Sequence, residues 1–441
     1  MAQVAALQNR TGVGRLRVMT PVSREVSEVR VSAVEMAFIF VSLTIISSGF
    51  QEFVPFRVWN LIRFALYGAV AIAVALNLRT IVPALVRSPF VTLLTILAVV
   101  SYLWSANPPA TFSRSYPLVM NTLFAAYFAT RFPIRQQLKI LAQLITFFAV
   151  CSIIAVFIVP EATAGAAWQG IFTQKNAFGR AMALGALIAL IYPSNSVRTM
   201  RLKWLGYMIS LFLVFMSDSM TSLIIVVNIT LLSFFLRAFW LGTVPGLALL
   251  FAGAVPIGLF MFAIATVDTD QVLIALGKDP TLTGRTDVWD KVEYAISEKF
   301  LLGYGYGAFW NQWDGMYGTL WSRRDTWQPG SAHNTFLDTW INVGILGPVL
   351  YILSLVYVYI QGLNRLRTTR NGLGLWPVLL AIYMTVLGFS EDYVLINGMN
   401  WCLYLILCYS LTGVGQGKSV EQPAVILSGN GLAKQQPVPT S

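Results

Sequence analysis

The sequence has little charge. Only 11% of its 441 residues are Asp, Glu, Lys or Arg, whereas 56% are hydrophobic. Soluble domains carry about 25% charged residues, so this composition cannot cover the surface of a soluble protein of this length. The chain also has only one histidine and three cysteines, and the cysteines fall in apolar runs. These shortages exclude a disulfide framework and a cysteine–histidine metal cluster. We therefore predict an integral membrane protein with no metal ion and no other cofactor.

Long apolar runs predict an all-α integral membrane protein with about 12 transmembrane helices. The predicted helix cores are residues 34–50, 58–76, 89–104, 116–129, 140–159, 177–191, 204–216, 222–236, 241–267, 336–360, 373–389 and 399–411. No signal-cleavage pattern closes the first run, which predicts an uncleaved first helix. The domains expected are a disordered tail 1–33, nine helices within 34–267, one large loop 268–335, three helices within 336–412 and a second disordered tail 413–441.

The distribution of Lys and Arg predicts the orientation of these helices. Cationic residues accumulate on the cytoplasmic side of membrane proteins, and most of the 30 basic residues fall there if the N-terminus is cytoplasmic. Both termini are therefore expected in the cytoplasm, and the loop 268–335 on the external side. The net charge of +11 is then a signal of topology. It does not indicate a nucleic-acid partner.

The loop 268–335 concentrates the polar residues and contains the single histidine, His333. Within it, residues 286–296 place apolar side chains at helical spacing with charges opposite, which predicts an amphipathic helix lying on the bundle. An aromatic-rich stretch follows and includes Tyr306 and Trp310. These rings have two interpretations: faces that stack on sugars, or an aromatic belt at the membrane interface.

His333 lies where the loop meets the tenth predicted helix, at its external end. An imidazole can accept a proton near neutral pH, so His333 is a candidate catalytic base; the alternative is an ordinary polar residue at a helix end. Asn334 is expected to cap the new helix, and Gly344 and Gly347 within it to allow close helix packing. Asp338, about 140° round a helix from His333, is a poor candidate for its direct partner.

Basic residues on the external side form a second candidate group. Its members are Arg114, Arg285, and Lys175 and Arg180 around Asn176. Guanidinium groups present a fork of donors that fits phosphate, which predicts an anionic substrate. Arg180 lies inside the start of a predicted helix, where a lipid-facing arginine would cost about 2.5–3.5 kcal/mol. The alternative, contact with lipid headgroups, is favoured for Arg57 and Arg63.

Several motifs together resemble a known family. They are His333-Asn334 followed after nine residues by Gly344 and then by Gly347, Gly284-Arg285 with Trp289, the turn at residues 104–108, and the run 170–177 before the sixth helix. This combination resembles the O-antigen ligase and polysaccharide polymerase superfamily (Wzy/WaaL-like) of bacterial inner membranes. The resemblance covers roughly residues 34–411, and the loop motifs look most like exopolysaccharide polymerases of the succinoglycan type.

The resemblance implies a metal-independent glycosyltransferase of the bacterial inner membrane that acts at the periplasmic face. Its donor would be an oligosaccharide on undecaprenyl diphosphate and its acceptor a sugar hydroxyl. In that comparison His333 activates the acceptor hydroxyl and Arg285 binds the donor diphosphate. The expected further substrate contacts are Arg114, Lys175, Asn176, Arg180, Asn334, Tyr306 and Trp310.

The resemblance also implies membrane lipids, flippase proteins and chain-length regulator proteins as partners. Two acceptors remain open: another lipid-linked repeat unit, for a polymerase, and lipid A core, for a ligase. A 12-span transporter or a lipid-linked oligosaccharide flippase is the alternative from another class. Transporters usually show paired halves and ionisable residues near mid-membrane. This sequence has no clear half-to-half repeat, which favours the glycosyltransferase.

Overall fold

The structure, a computed structural model, describes residues 29–194, 196–240, 283–310, 312–324 and 328–414. Over these ranges the chain is mostly helical. A short antiparallel ribbon of β1 (Thr163–Ala164) and β2 (Ala167–Trp168) interrupts the helices. The predicted helical class is therefore confirmed for the part of the chain that is described.

The helices up to residue 240 in the described ranges are α1 (Ala33–Ile46), α2 (Phe56–Leu76), α3 (Leu78–Arg87), α4 (Pro89–Val100), α5 (Pro108–Arg131), α6 (Ile134–Ile158), α7 (Lys175–Ile191), α8 (Val197–Met216) and α9 (Met220–Trp240). Those from residue 283 onwards are α10 (Thr283–Glu298), α11 (Met316–Leu320), α12 (Thr335–Val343), α13 (Leu346–Thr368), α14 (Gly372–Ser390) and α15 (Met399–Ser410).

Six of these helices are long and apolar enough to cross a membrane, namely α2, α6, α8, α9, α13 and α14. The pair of α3 and α4 passes the same test together, although the chain bends by 96° between them. Two further apolar helices, α1 and α15, are shorter. The chain is thus a multi-pass membrane protein. The residues described contain six or seven candidate spans, so the predicted number of about twelve stays a prediction.

Every predicted helix core but one falls on a helix of the structure. The exception is the ninth core, residues 241–267, which lies outside the described residues. The predicted tails 1–33 and 413–441 also lie almost entirely outside them. Apolar runs therefore located the helices well, because each helix must bury or expose to lipid a continuous apolar surface.

The tenth predicted helix, residues 336–360, is wrong as a continuous helix. The chain breaks at Gly344, whose φ of 74° lies in the left-handed region that favours glycine. A Cβ atom added at Gly344 would lie 1.9 Å from the backbone oxygen of Leu301. Gly344 therefore ends α12 because the loop approaches it closely. Gly347, in α13, does allow close packing, since an added Cβ would lie 2.7 Å from side-chain atoms of Thr339 and Val343.

Burial separates the central helices from the peripheral ones. In α14, 78% of the apolar window is buried inside the protein, against 22% in α8. Residues 401–410 of α15 are all buried. A helix that is apolar all round and enclosed by protein belongs to the core, whereas one with exposed apolar side chains faces lipid. The loop that follows α14 therefore begins in the buried part of the helix bundle.

The loop that precedes α12 folds on a hydrophobic core of its own. The predicted amphipathic helix is confirmed as α10, with Val288, Val292 and Ala295 buried. Five aromatic side chains of the loop are buried in this core, namely Tyr304, Phe309, Trp310, Tyr317 and Trp321, and the rings of Tyr317 and Trp321 stack with centroids 4.8 Å apart. These buried rings present no open face for stacking on a sugar. The aromatic residues hold the loop together, and so hold the turn that carries His333.

Candidate functional site

The carboxylate of Glu391 lies at the centre of the candidate site, just after the end of α14. Its Oε2 atom is 3.5 Å from Nδ1 of His333 and 3.5 Å from Nη1 of Arg180. Its Oε1 atom accepts a hydrogen bond of 3.2 Å from the side-chain amide of Asn176. The Glu391 side chain is only 9% exposed. One buried carboxylate thus brings together three residues that the sequence selected separately.

The first turns of α7 carry two of these residues. Asn176 and Arg180 are four positions apart, so they lie on the same face of the helix. The backbone oxygen of Arg180 accepts a hydrogen bond of 3.0 Å from the hydroxyl of Tyr383 in α14. Because α7 packs directly against α14, their contact fixes the distance between this face and Glu391.

The start of α12 places His333. The predicted cap is confirmed: the Oδ1 atom of Asn334 accepts hydrogen bonds from the backbone N–H groups of Phe336, at 3.0 Å, and Leu337, at 3.3 Å. His333 precedes this cap with a φ of 49°, which is uncommon for a residue other than glycine. A backbone held in such a region usually marks a position fixed by its surroundings.

Asp338 stabilises the turn that carries His333. Its side chain accepts hydrogen bonds from the backbone N–H of Ala332, at 3.0 Å, and from the indole N–H of Trp310, at 2.9 Å. Asp338 is buried, and its oxygens accept hydrogen bonds from the turn and from Trp310. The carboxylate beside the His333 ring is therefore that of Glu391. The expectation that Asp338 is a poor direct partner for His333 agrees with this geometry.

Thr335 joins α12 to the segment that carries Glu391. Its hydroxyl donates to the backbone oxygen of Glu391 at 3.0 Å and accepts from the backbone N–H of Tyr393 at 3.2 Å. Both bonds are buried. Thr335, two positions after His333, is therefore hydrogen-bonded to the backbone on both sides of Asp392. These bonds fix the position of the histidine relative to the two carboxylates.

Asp392 completes an acidic pair beside the imidazole. Burial raises the pKa of its carboxyl group; a positive charge on His333 opposes that shift and the charge of Glu391 adds to it. Ligand atoms of His333, Glu391 and Asp392 all lie within 4.8 Å of one another. Such a group can share a proton, and its donor set also has the spacing to hold a metal ion. This cluster contains no cysteine, so the shortage of cysteine and histidine in the sequence did not exclude it.

The remaining basic candidates lie elsewhere or are not described. The Nζ atom of Lys175 is 3.1 Å from Oδ2 of Asp218, in an exposed ion pair at the turn between α8 and α9. Arg114 lies against the glycine-rich turn, where a Cβ atom added at Gly307 would be 2.2 Å from the Cδ of Arg114. The backbone of Arg285 belongs to α10, and its side chain lies outside the described residues.

Tyr306 and Trp310 are buried in the structure. The hydroxyl of Tyr306 donates to the backbone oxygen of Leu395 at 2.5 Å, and Trp310 donates to Asp338 at 2.9 Å. Both side chains are at most 6% exposed, so neither ring presents an open face to a sugar. Tyr306 instead contacts the segment after Asp392. Trp310 contacts Asp338, whose side chain holds the turn that carries His333.

Sequence reasoning missed Glu391 and Asp392. The signal was present, since two adjacent acidic residues stand between the apolar runs 373–389 and 399–411 at their predicted external ends. An acidic pair at such a place suggests a cationic partner. The partners lie in α7 and before α12, so only the tertiary structure identifies them.

Comparison with known proteins agrees with the resemblance in the motifs. Residues 205–352, which include His333, match the family described as O-antigen ligase. Over 210 residues the chain is 30% identical to the exopolysaccharide production protein ExoQ of Rhizobium meliloti (strain 1021). That alignment covers 45% of this chain and 47% of the relative, so the match spans about half the length of each. Through this region the chain is similar to the O-antigen ligase family and to a protein of exopolysaccharide production.

Proposed function

We propose that the protein is an inner-membrane glycosyltransferase that polymerises undecaprenyl-diphosphate-linked oligosaccharide repeat units into exopolysaccharide at the periplasmic face. The observation that carries the proposal is the position of Glu391 Oε2, 3.5 Å from both His333 and Arg180. This carboxylate places a candidate base and a candidate phosphate-binding cation side by side. Similarity to a protein of exopolysaccharide production supports the choice of product.

His333 serves as the base in this proposal. A carboxylate beside Nδ1 favours the tautomer with its proton on Nδ1, which leaves the lone pair of Nε2 free for a substrate hydroxyl. The separation of 3.5 Å is longer than a hydrogen bond of about 2.7–3.2 Å, and such contacts often tighten when substrate binds. The His333 side chain is 33% exposed, so the ring remains accessible.

Arg180 stabilises the leaving group. In the transfer step the acceptor oxygen forms a bond to the anomeric carbon and its proton passes to His333. The bond between that carbon and the phosphate oxygen breaks, and the diphosphate departs with the electron pair. Arg180 is only 18% exposed, and it offers a fixed positive charge at a mostly buried position, where such stabilisation is stronger than in water. Arg285 on α10 is the second proposed diphosphate contact.

The proposed reaction is metal-independent. Both oxygens of the Glu391 carboxylate already have partners, since Asn176 donates to Oε1 and Arg180 lies beside Oε2. A metal ion held by the group of His333, Glu391 and Asp392 would have to share Glu391 with the guanidinium and would occupy the imidazole. The cation that the chemistry requires is therefore assigned to arginine.

A ligase that transfers the glycan to lipid A core is the second candidate, favoured by the description of the matched family as O-antigen ligase. The same site would serve it with a different acceptor. Deleting the gene separates the candidates. Undecaprenyl-linked single repeat units accumulating in the periplasm are the expected result for the polymerase. Unmodified lipid A core beside intact long polymer would show a ligase, and intermediates held in the cytoplasmic leaflet would show a flippase.

In the cell, a flippase would supply the lipid-linked units and chain-length regulators would act on the polymer; both are proposed partners. The membrane lipids form the surroundings of the peripheral helices, whose large apolar side chains are exposed. The polymerase proposal therefore places the enzyme between delivery of repeat units to the periplasmic face and control of polymer length.

A further inference from the structure

A cavity of about 230 Å³ lies beside the Glu391 site, and most of the residues that line it have no role in the proposed chemistry. Arg180 and Asp392 line it, as do Asn397 and Trp401 from the segment that leads into α15. We infer that this cavity is a sugar-binding subsite that holds one pyranose ring of the glycan next to His333, with Asn397 as a specificity-determining residue. The inference rests on the proposed function, because it assumes a glycan substrate.

Buried polar atoms without a hydrogen-bond partner occur in three residues that line this cavity. Among the residues described, Oδ1 of Asn397 and Nε1 of Trp401 have no partner, and Nη1 of Arg180 has only its ion pair of 3.5 Å with Glu391. Buried polar groups in proteins are nearly always paired, and leaving one unpaired is costly. A polar ligand is the natural partner for a set of this kind.

The mixture of groups favours a sugar over an anion. The set contains donors, in Arg180 and Trp401, and acceptors, in Asn397 and Asp392. A sugar hydroxyl can donate and accept, so one ring can satisfy both kinds of group. A diphosphate has acceptors alone for this purpose and would meet the carboxylate of Asp392. One cation and one carboxyl group also give the cavity little net charge.

The shape and apolar lining fit a single ring. Typical small-molecule sites measure about 300–1,000 Å³, so a cavity of about 230 Å³ is too small for a whole oligosaccharide. The rings of Phe148, Phe172 and Trp401 contribute to its wall, and aromatic faces suit the C–H surface of a pyranose. A lining that combines polar and apolar side chains matches the two kinds of sugar surface.

The segment that carries Asn397 is held in place from two directions. The side-chain amide of Asn397 donates to the hydroxyl of Tyr67 in α2 at 3.4 Å. The hydroxyl of Tyr306 binds the backbone oxygen of Leu395 at 2.5 Å. A wall fixed by separate parts of the fold before ligand arrives reduces the ordering cost of binding.

Binding measurements on the full chain in lipid nanodiscs test the subsite. The probes are undecaprenyl diphosphate carrying the repeat unit, undecaprenyl diphosphate without sugar, and the free repeat-unit oligosaccharide. Asn397→Ala is expected to weaken a sugar-bearing probe about tenfold and to leave sugar-free undecaprenyl diphosphate unchanged. A loss confined to the glycosylated lipid assigns the ring to the donor, and a loss on the free oligosaccharide assigns it to the acceptor.

Gly398→Phe provides a second variant that removes no side-chain hydrogen bond. Gly398 lines the cavity in an extended conformation, and the nearest atom to an added Cβ is Cγ2 of Ile396 at 3.8 Å. The Cβ atom of a phenylalanine is therefore accommodated, and its ring, which would take up space in the cavity, is expected to cause the same selective loss. Asn228→Ala, at a half-buried asparagine of α9, is the matched control and should bind every probe normally.

The two proposals fail in different ways. If both variants bind the sugar-bearing probes normally, or lose sugar-free undecaprenyl diphosphate equally, the cavity is no sugar subsite while the proposed function stands. If the wild-type protein binds none of the undecaprenyl diphosphate probes, the proposed function fails and the subsite fails with it.

Discussion

The Nδ1 atom of His333 lies 3.5 Å from the Oε2 atom of Glu391, although the two residues belong to separate stretches of the chain. One precedes α12 and the other follows α14. The hydrogen bonds of Thr335 with the backbone of Glu391 and Tyr393 join these stretches. Because these hydrogen bonds hold the two stretches together, the fold itself places the imidazole beside the carboxylate.

Glu391→Gln tests the role of the carboxylate. The variant keeps an acceptor for Asn176 but removes the negative charge beside His333 and Arg180. We expect polymer formation to fall about 10- to 100-fold, as when a carboxylate that orients a functional histidine is lost. The carboxylate also orients the imidazole so that Nε2 faces the substrate, so its loss should lower the rate of polymer formation and leave binding of the lipid-linked unit nearly unchanged.

The control for this experiment is Glu161→Gln, at an exposed glutamate near the β-ribbon, which should retain wild-type activity. A Glu391→Gln enzyme with the normal rate would show that the carboxylate does not act on His333. A slow enzyme that also binds the lipid-linked unit weakly would restrict Glu391 to a structural role.

Arg180→Ala and Arg180→Lys separate charge from geometry. Alanine removes the cation proposed to stabilise the diphosphate, and we expect a fall in rate of about 10²- to 10³-fold, as for loss of one transition-state donor. Lysine keeps the charge without the planar fork and should recover part of the rate. Arg57→Ala, at an exposed residue predicted to contact headgroups, should remain active. Equal activity of the alanine variant and wild type would exclude Arg180 from the leaving-group site.

Chelation tests metal independence. The donors of His333, Glu391 and Asp392 are close enough to hold an ion, whereas the proposal assigns the cationic role to arginine. Purified enzyme treated with EDTA and assayed in metal-free buffer should polymerise at its original rate. Loss of activity on chelation, with recovery on adding one divalent metal, would overturn the metal-independent mechanism and make this cluster a metal centre.

Asp338→Ala should destabilise the turn that presents His333. It removes the acceptor for the backbone N–H of Ala332 and the indole N–H of Trp310, and each buried donor left unpaired costs about 1–3 kcal/mol. A lower melting temperature of the purified protein is expected. Asp338→Asn keeps one acceptor oxygen and should melt between the two. Melting of the alanine variant at the wild-type temperature would show that this network does not support the turn.

The sequence predicted the positions of helices better than their continuity. Apolar runs mark α2, α6 and α14 directly, because burial or lipid contact requires such runs. The break between α12 and α13 was missed since it depends on how closely Leu301 approaches Gly344. That approach is set by the packing of the loop and leaves no local signal beyond the glycine itself.

The candidate site was partly predictable for a similar reason. Helix periodicity alone places Asn176 and Arg180 on one face of α7 and turns Lys175 away by about 100°, which agrees with the ion pair between Lys175 and Asp218. That distinction could have been drawn from the sequence. The pairing of His333 with Glu391 could not, because it arises where the end of α14 and the start of α7 meet the start of α12.

The central claim is that His333 takes the proton of the acceptor hydroxyl, and the rate of polymer formation by His333→Ala tests it most directly. The measurement uses purified, correctly inserted protein in nanodiscs with lipid-linked repeat units as the only substrate. Removing a positioned base should slow polymer formation by about 10²- to 10⁴-fold while binding of the lipid-linked unit stays nearly unchanged. Polymer formed at the wild-type rate by this variant would contradict the account.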